Sequence, residues 1–318
     1  MKKKYKILTV ISAVLIALSV PVIVFFARAP VLIIADQMFS GLYGQKRITL
    51  ETFRSSLALF RQVKTVEAAY DAGDDIIRFA VQEAGKNPYF VIFPLRFARS
   101  AVYYHEHNPQ VRIIILEGRY LQDSNSTVSS QLAAVFSGQD DNFFVFRTDI
   151  DNEFYKAGQA AAALAGNNAG KIVVFIEPGQ NLLFGKPAND AFSRGVNEYF
   201  SNLMDLPYIT PEILFFTAFS DCPEDIVFSC IVMAGAGSEY FENGSGIPVI
   251  LFSWLDPFYA PPDTALIIDD SIWAQAVRAV KTAETGVKDG LIKSIFHFSG
   301  SGKFDKELVR QIKKSQQD

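Results

Sequence analysis

The sequence predicts an α/β protein built as two wound lobes with parallel sheets, preceded by a transmembrane helix. Three observations lead there. Short, almost continuously apolar runs alternate with helix-patterned segments along most of the 318 residues, the pattern of parallel strands covered on both faces. The alternation passes through two successive series. Residues 7–26, ILTVISAVLIALSVPVIVFF, carry no charge and are long enough to cross a bilayer core as a helix of roughly 20 residues.

Taken in order, the basic start Lys2, Lys3, Lys4 and Lys6 keeps the amino terminus inside and sends everything after Arg28 outward. Residues 1–29 read as a permanent anchor or as a cleaved signal peptide. The apolar run exceeds the roughly 7 to 15 residues of a signal peptide. Pro30 after Ala27-Arg28-Ala29 also suits an extended protease substrate badly, because its φ is fixed and it has no N–H. No cysteine precedes Cys222 to carry a lipid.

The first series begins with a strand at 31–35 and a polar, aromatic loop at 36–41. A helix pattern at 49–60 then sets Phe53, Leu57 and Phe60 on one face. A strand follows at 63–68. The helix at 74–84 buries Ile76, Ile77, Ala80 and Val81 and is stopped by Gly85-Lys86-Asn87-Pro88. Strands at 89–94, 111–116 and 143–146, with a helix at 97–106, complete this lobe.

The second series has a helix at 153–165, a strand at 172–176, a helix at 189–200, and strands at 213–216, 226–233 and 248–252. The βα rhythm then resumes with a strand at 265–268, an amphipathic helix at 271–285, one late strand at 292–298 and a polar helix at 305–314.

Composition narrows the function. The formal net charge is −4, and beyond residue 29 there are 25 basic against 34 acidic residues, a balance of −9. That argues against nucleic acid as a partner. Cys222 and Cys230 are the only cysteines; outside the cytoplasm they can form a disulfide, and the alternative is two separate small apolar side chains. They are too few for a four-cysteine zinc site. His105 and His107, two apart, turn to different faces of a helix and make no metal pair. No Gly-x-Ser-x-Gly elbow occurs. Ser299-Gly300-Ser301-Gly302-Lys303 lacks the earlier glycine and following hydroxyl of a phosphate loop. Gly235-Ala236-Gly237 has Tyr240 where a dinucleotide fingerprint needs its third glycine. Neither enzymatic activity nor a cofactor is expected.

The chain resembles the type I periplasmic binding protein superfamily, and within it the basic membrane protein family of extracytoplasmic solute receptors. The carrying segments are VLIIADQMFSGLYG, FFVFRTDIDNEFYKAGQAAAALAG, GKIVVFIEP with ANDAFSRGVNEYF, IVMAGAG, IPVILFSWLDP and ALIIDDSIWAQAVRAVKTAETG, in that order. The resemblance implies two Rossmann-like lobes joined by hinge strands and closing on a ligand. The N-terminal lobe would comprise 30–149 with 256–285, and the C-terminal lobe 150–255 with 286–318. Crossings would fall near 148–149, 253–256 and 285–293.

Carried over residue by residue, the resemblance implies ligand contacts from Asp36 and Phe39 after the first strand and from Asp151 and Asn152 at the first crossing. The second lobe would supply Glu177, Asn189, Asp190 and Ser238, and the later hinge Trp254, Asp256 and Asp269. Carboxylates and amides fix hydroxyls, while aromatic faces cover ring surface and exclude water. Each residue has a structural alternative. Asp36, Asp151, Asn152 and Asp269 suit helix caps; Glu177 and Asp256, each before a proline, suit turns; Phe39 suits a core. Arg96 is either an anion contact or an ion-paired surface residue. The function implied is an extracytoplasmic, membrane-tethered receptor delivering a nucleoside-like or sugar-like ligand to an ABC permease and its ATPase. The alternatives are a sensing ectodomain acting through a partner kinase or chemoreceptor, and a degenerate interaction protein whose cleft has lost its ligand.

Overall fold

The apolar runs of the first series become neighbouring parallel strands. The computed structural model describes residues 19–69, 71–117, 141–166, 170–176, 178–202, 210–217, 219–223, 225–234, 246–252, 262–299 and 304–314. In the first lobe, β1 (Val31–Asp36), β2 (Val63–Ala68), β3 (Phe90–Pro94), β4 (Arg112–Glu117), β5 (Phe143–Thr148) and β11 (Asp289–Ile292) form one sheet. Its order is β11-β5-β4-β3-β1-β2, with every pairing parallel. In the second lobe, β6 (Lys171–Ile176), β7 (Ile213–Phe216), β8 (Phe228–Ala234), β9 (Val249–Phe252), β10 (Thr264–Asp269) and β12 (Ile295–Phe298) pair in the order β12-β10-β9-β8-β6-β7. Only β12 runs antiparallel.

Side chains of a strand alternate between faces, so each continuous apolar run fills two layers. Leu32, Ile34, Val91, Phe93, Ile113 and Ile115 face the helices α3 (Asp74–Ala84) and α4 (Ala98–His107). Val31, Ile33, Ile92 and Ile114 face α2 (Gln37–Leu59) and α7 (Ile272–Glu284), whose Trp273, Ala276, Ala279 and Val280 are buried there. On the second sheet, Ile172, Val174, Val232 and Ile250 pack beneath α5 (Ile150–Ala165), α6 (Pro178–Ser201) and α8 (Lys306–Lys314). Phe154 of α5 stacks on Phe252 with centroids 4.8 Å apart. Fully burying such a ring contributes roughly 2–3 kcal/mol.

The α5–α6 contact is unusually close because glycine faces backbone on both helices. A Cβ on Gly158 would stand 2.2 Å from the Phe192 carbonyl oxygen, and one on Gly195 would stand 1.9 Å from that of Tyr155. The Ala-rich run of α5 thus serves interhelical approach as well as helix propensity.

Several expectations are corrected. The late strand is two: β11 joins the first sheet and β12 the second. The strand at 264–269, expected with the first lobe, belongs to the second sheet, where Leu266, Ile267 and Ile268 pair with Ile250, Leu251 and Phe252. The strands on either side of 253–256 are therefore neighbours in one sheet, and 253–256 itself lies outside the described residues. The helix that follows, α7, packs on the first lobe. The loop expected after β1 is helical from Gln37, interrupted at Gly44, whose φ of 67° suits a residue without a Cβ. Phe53 and Leu57 of α2, and Phe60 just after it, are exposed, and among the described residues Ile48, Glu51, Ser55 and Ser56 are the buried side chains of this helix.

The disulfide does not form; both cysteines are free. Cys230 lies in the core layer under α5 and α6, while Cys222 packs against the layer of Val173, Ile231 and Leu251 on the opposite face of the sheet. Burial pushes the thiol pKa of both upward. Of the expected transmembrane span, 7–18 lies outside the described residues, and 19–27 forms helix α1. Among the described residues no helix is long and apolar enough to cross a membrane.

Candidate ligand cleft

Among the described residues the chain passes between the lobes at three places. Asp149 links the carboxyl end of β5 to α5. Asp270 and Ser271 link the carboxyl end of β10 to α7. Lys293 and Ser294 link the carboxyl end of β11 to β12, which starts opposite Asp269. Every crossing thus leaves a parallel strand at its carboxyl end, so the carboxyl ends of the two sheets face each other. Open α/β sheets receive ligands at such strand ends.

The crossings are tied to one another by buried polar groups. Gln275 Nε2 donates to Thr148 Oγ1 at 2.8 Å and to the Asp270 carbonyl at 3.0 Å, joining the first and second crossings. Ser294 of the third donates its hydroxyl to the carboxylate of Glu153, which is fully buried on α5. Lys156, one turn further, is also buried; burial and the nearby Lys293 push its pKa down to about 8, against the opposing pull of Asp149 and Glu153. Burial likewise lowers the pKa of Arg278, which Glu153 and Asp269 counteract. Thr148, Glu153, Gln275 and Ser294 were missed in the sequence. The available signal was a polar residue, Gln275, inside the apolar face of Ile272, Ala276, Ala279 and Val280.

On the first-lobe wall, Asp36 ends β1 and is 2% exposed. Its carboxylate forms an ion pair with Arg96. Arg96 is supplied by the 3-10 turn Leu95–Phe97 that leaves β3, the neighbour of β1. Of the two readings of Arg96, ion pairing is what the structure shows. Phe39 lies on α2, and its side chain lies outside the described residues.

At the first crossing, Asp149 rather than Asp151 or Asn152 caps α5, accepting from the Asn152 N–H at 3.3 Å. Asn152 is half-buried and Asp151 exposed; Asp151 pairs with Arg194 of α6 at 2.8 Å. Such an exposed pair is worth at most about 1 kcal/mol. Asn189 and Asp190 were expected at a helix mouth, but α6 already begins at Pro178, placing Asn189 roughly 16 Å along the axis at about 1.5 Å per residue. Asp190 is exposed. The amide oxygen of Asn189 is buried with no hydrogen-bond partner among the described residues. Asp269 builds the turn into α7: its Oδ1 accepts from the Ser271 hydroxyl at 3.0 Å, while Oδ2 lies 3.8 Å from His297 Nε2. Ser271 then caps α7 by accepting from Ala274 N–H. Glu177, Ser238, Trp254 and Asp256 lie outside the described residues.

Among the described residues no group of three or more His, Cys, Asp or Glu side chains is placed to hold a metal ion. The described polar groups suit hydrogen bonding and charge pairing.

No protein-family model matches the sequence, and no curated protein matches it. Solved structures do. An ABC transporter solute-binding protein from Conexibacter woesei superposes with a TM-score of 0.60 at 11% identity, covering 91% of this chain and 95% of that one. The fold is that of the type I periplasmic binding proteins. A transcriptional activator of the comK gene from Bacillus halodurans shares it at a TM-score of 0.57 and 13% identity, over 91% of this chain and 96% of that one. So does an ABC transporter periplasmic solute-binding protein from Actinobacillus succinogenes with bound D-allose, at 0.51 and 12% identity, over 89% of this chain and all of the other.

Proposed function

We propose that this chain is an extracytoplasmic solute-binding protein, tethered by its apolar N-terminal segment, that encloses a small polar, ring-bearing molecule and delivers it to an ABC permease and ATPase. The observation that carries this reading is the set of three crossings, each leaving a strand at its carboxyl end, with two sheets facing across them. The solute-binding proteins that share the fold support it. The ligand class is nucleoside-like or sugar-like. On the first lobe, Asp36 and its partner Arg96 supply the charged hydrogen-bonding pair and Phe39 the ring contact. On the second, Glu177, Ser238, Trp254 and Asp256 are the assigned contacts, with Asn189, whose amide oxygen has no hydrogen-bond partner among the described residues. Asp151, Asn152, Asp190 and Asp269 are assigned secondary parts, because Asp151 and Asp269 already engage Arg194 and His297. Catalysis forms no part of this reading.

Thermal unfolding of the full chain with a panel of nucleosides and sugars, D-allose included, is the test. A ligand that binds only the folded form at 100 times its Kd adds about 2.7 kcal/mol, which raises Tm by several degrees for lobes of this size. No shift across the panel at millimolar concentration, with an unchanged lobe separation in solution scattering, overturns the proposal.

A second reading is a ligand-sensing ectodomain acting through a partner kinase or chemoreceptor. It is favoured by the shared fold of the comK activator. Co-purification with a permease supports import; co-purification with a kinase supports sensing.

A further inference from the structure

A second concavity lies beside the crossings, and its walls come from both lobes. α2, α7 and β11 supply the first-lobe side; Ile267 and Asp269 of β10, with Ile295 and His297 of β12, supply the second. It measures about 1220 Å³, larger than most small-molecule pockets of roughly 300–1,000 Å³. Of the described residues assigned to the ligand cleft, only Asp269 borders it.

Its charge is opposite to that of the chain. Arg47 and Arg54 project from α2, Arg278 and Lys281 from α7, and Lys293 from the third crossing, against two carboxylates, Glu51 and Asp269. Glu51 is taken by both arginines of its own helix, at 3.2 Å from Arg47 and 2.9 Å from Arg54. Asp269 is engaged by Ser271 and lies 3.8 Å from His297. Asp269 of the groove and the buried Glu153 act on Arg278, so its charge is partly balanced, while among the described residues no carboxylate of the groove is ion-paired with Lys281 or Lys293, and the lining keeps an excess of cations. Apolar side chains such as Ile267, Val277 and Ile292 line the space between, and low-dielectric walls focus the field of the cations into it.

We propose that this groove is a binding site for a multivalent oxyanion of the polyphosphate or polycarboxylate class, held by Arg278, Lys281 and Lys293. Guanidinium forks match phosphate and carboxylate oxygens in pairs, and the lysines add point charges. Several cations around one large space call for a ligand with several anionic groups. Because the walls belong to both lobes, the bound ion is linked to their relative position and hence, reciprocally, to occupancy of the main cleft.

Calorimetric titration of the full chain with pyrophosphate and with citrate, at fixed ionic strength, tests this and separates the two sources. Saturable binding of at least one, with Kd below about 1 mM, and a tenfold or greater loss in an Arg278→Gln/Lys281→Gln variant, is the expected result. Arg310→Ala, which removes an exposed cation on α8, serves as the control and binds as the parent does. The double variant must retain a cooperative melt; if it does not, the single Lys281→Gln variant is read instead, with a threefold loss expected. Absence of binding by both ions, undiminished binding in the folded variant, or attachment to phosphatidylserine vesicles with no affinity for either soluble ion overturns the proposal.

Discussion

Ser294 donates its hydroxyl to Glu153, connecting the last passage between the lobes to the first helix of the second lobe. The carboxylate is fully buried and the serine 3% exposed, so no water replaces the donor when it is removed. Ser294→Ala should cost about 2 kcal/mol, the usual price of a lost hydrogen bond to a buried charge. Urea unfolding of parent and variant measures it. A change below 0.5 kcal/mol, about the level of an ordinary surface substitution, counts against the bond.

Lys156 gives the fold a pH dependence with a definite sign. In the folded chain its pKa falls to about 8, from an ordinary value of 10.5. Between those two values the unfolded chain holds more protons, so this group makes stability rise with pH. Below pH 8 its full cost is present, and above 10.5 none remains. The difference in urea midpoint between the parent and Lys156→Met should therefore shrink as pH rises from 8 to 10.5. A constant difference would show that Lys156 ionises as a solvent-exposed lysine does.

Gly158 and Gly195 tolerate no side chain. An added methyl at either meets a carbonyl oxygen at 2.2 or 1.9 Å, so α5 and α6 must separate. Overpacking of this kind costs about 3 kcal/mol. Gly158→Ala should lower the unfolding midpoint accordingly, whereas Gly73→Ala, where nothing lies within 4 Å, should cost no more than the roughly 1 kcal/mol of a weakened N-cap on α3.

Asp36→Asn removes the charge that holds Arg96. Breaking a buried ion pair by neutralising one partner costs about 3–5 kcal/mol; the 25% exposure of the Arg96 side chain moves the expectation to the lower end. Ligand affinity should fall with it, and an Asp36→Asn/Arg96→Gln double variant should recover part of the stability without recovering binding. Melting curves and ligand titration together separate the two effects.

Most strands were legible because parallel sheets need apolar residues at consecutive positions, as at 31–35 and 172–176, whereas the edge strand at 63–68 carries Lys64 and Glu67 and shows the signal only at Val63, Val66 and Ala68. Lobe membership was not. Ala265 to Ile268 is as apolar as any first-lobe strand, and only its register with Ile250 and Phe252 assigns it to the second sheet. Likewise 292–298 reads as one strand until Lys293 and Ser294 are seen to carry the chain across. Asp36 was legible as a strand-end carboxylate, but its pairing with Arg96, sixty residues away, comes from sheet order. The cap of α5 lies two residues before Asp151 and three before Asn152, the two positions expected, because Asp149, Asp151 and Asn152 all suit a cap; the extent of β5 decides for Asp149.

A lone linker would let the second lobe spin freely about the first. With peptide bonds fastening the halves at Asp149, at Asp270 and Ser271, and at Lys293 and Ser294, free rotation is restrained, and a clamshell bend is the motion the connections oppose least.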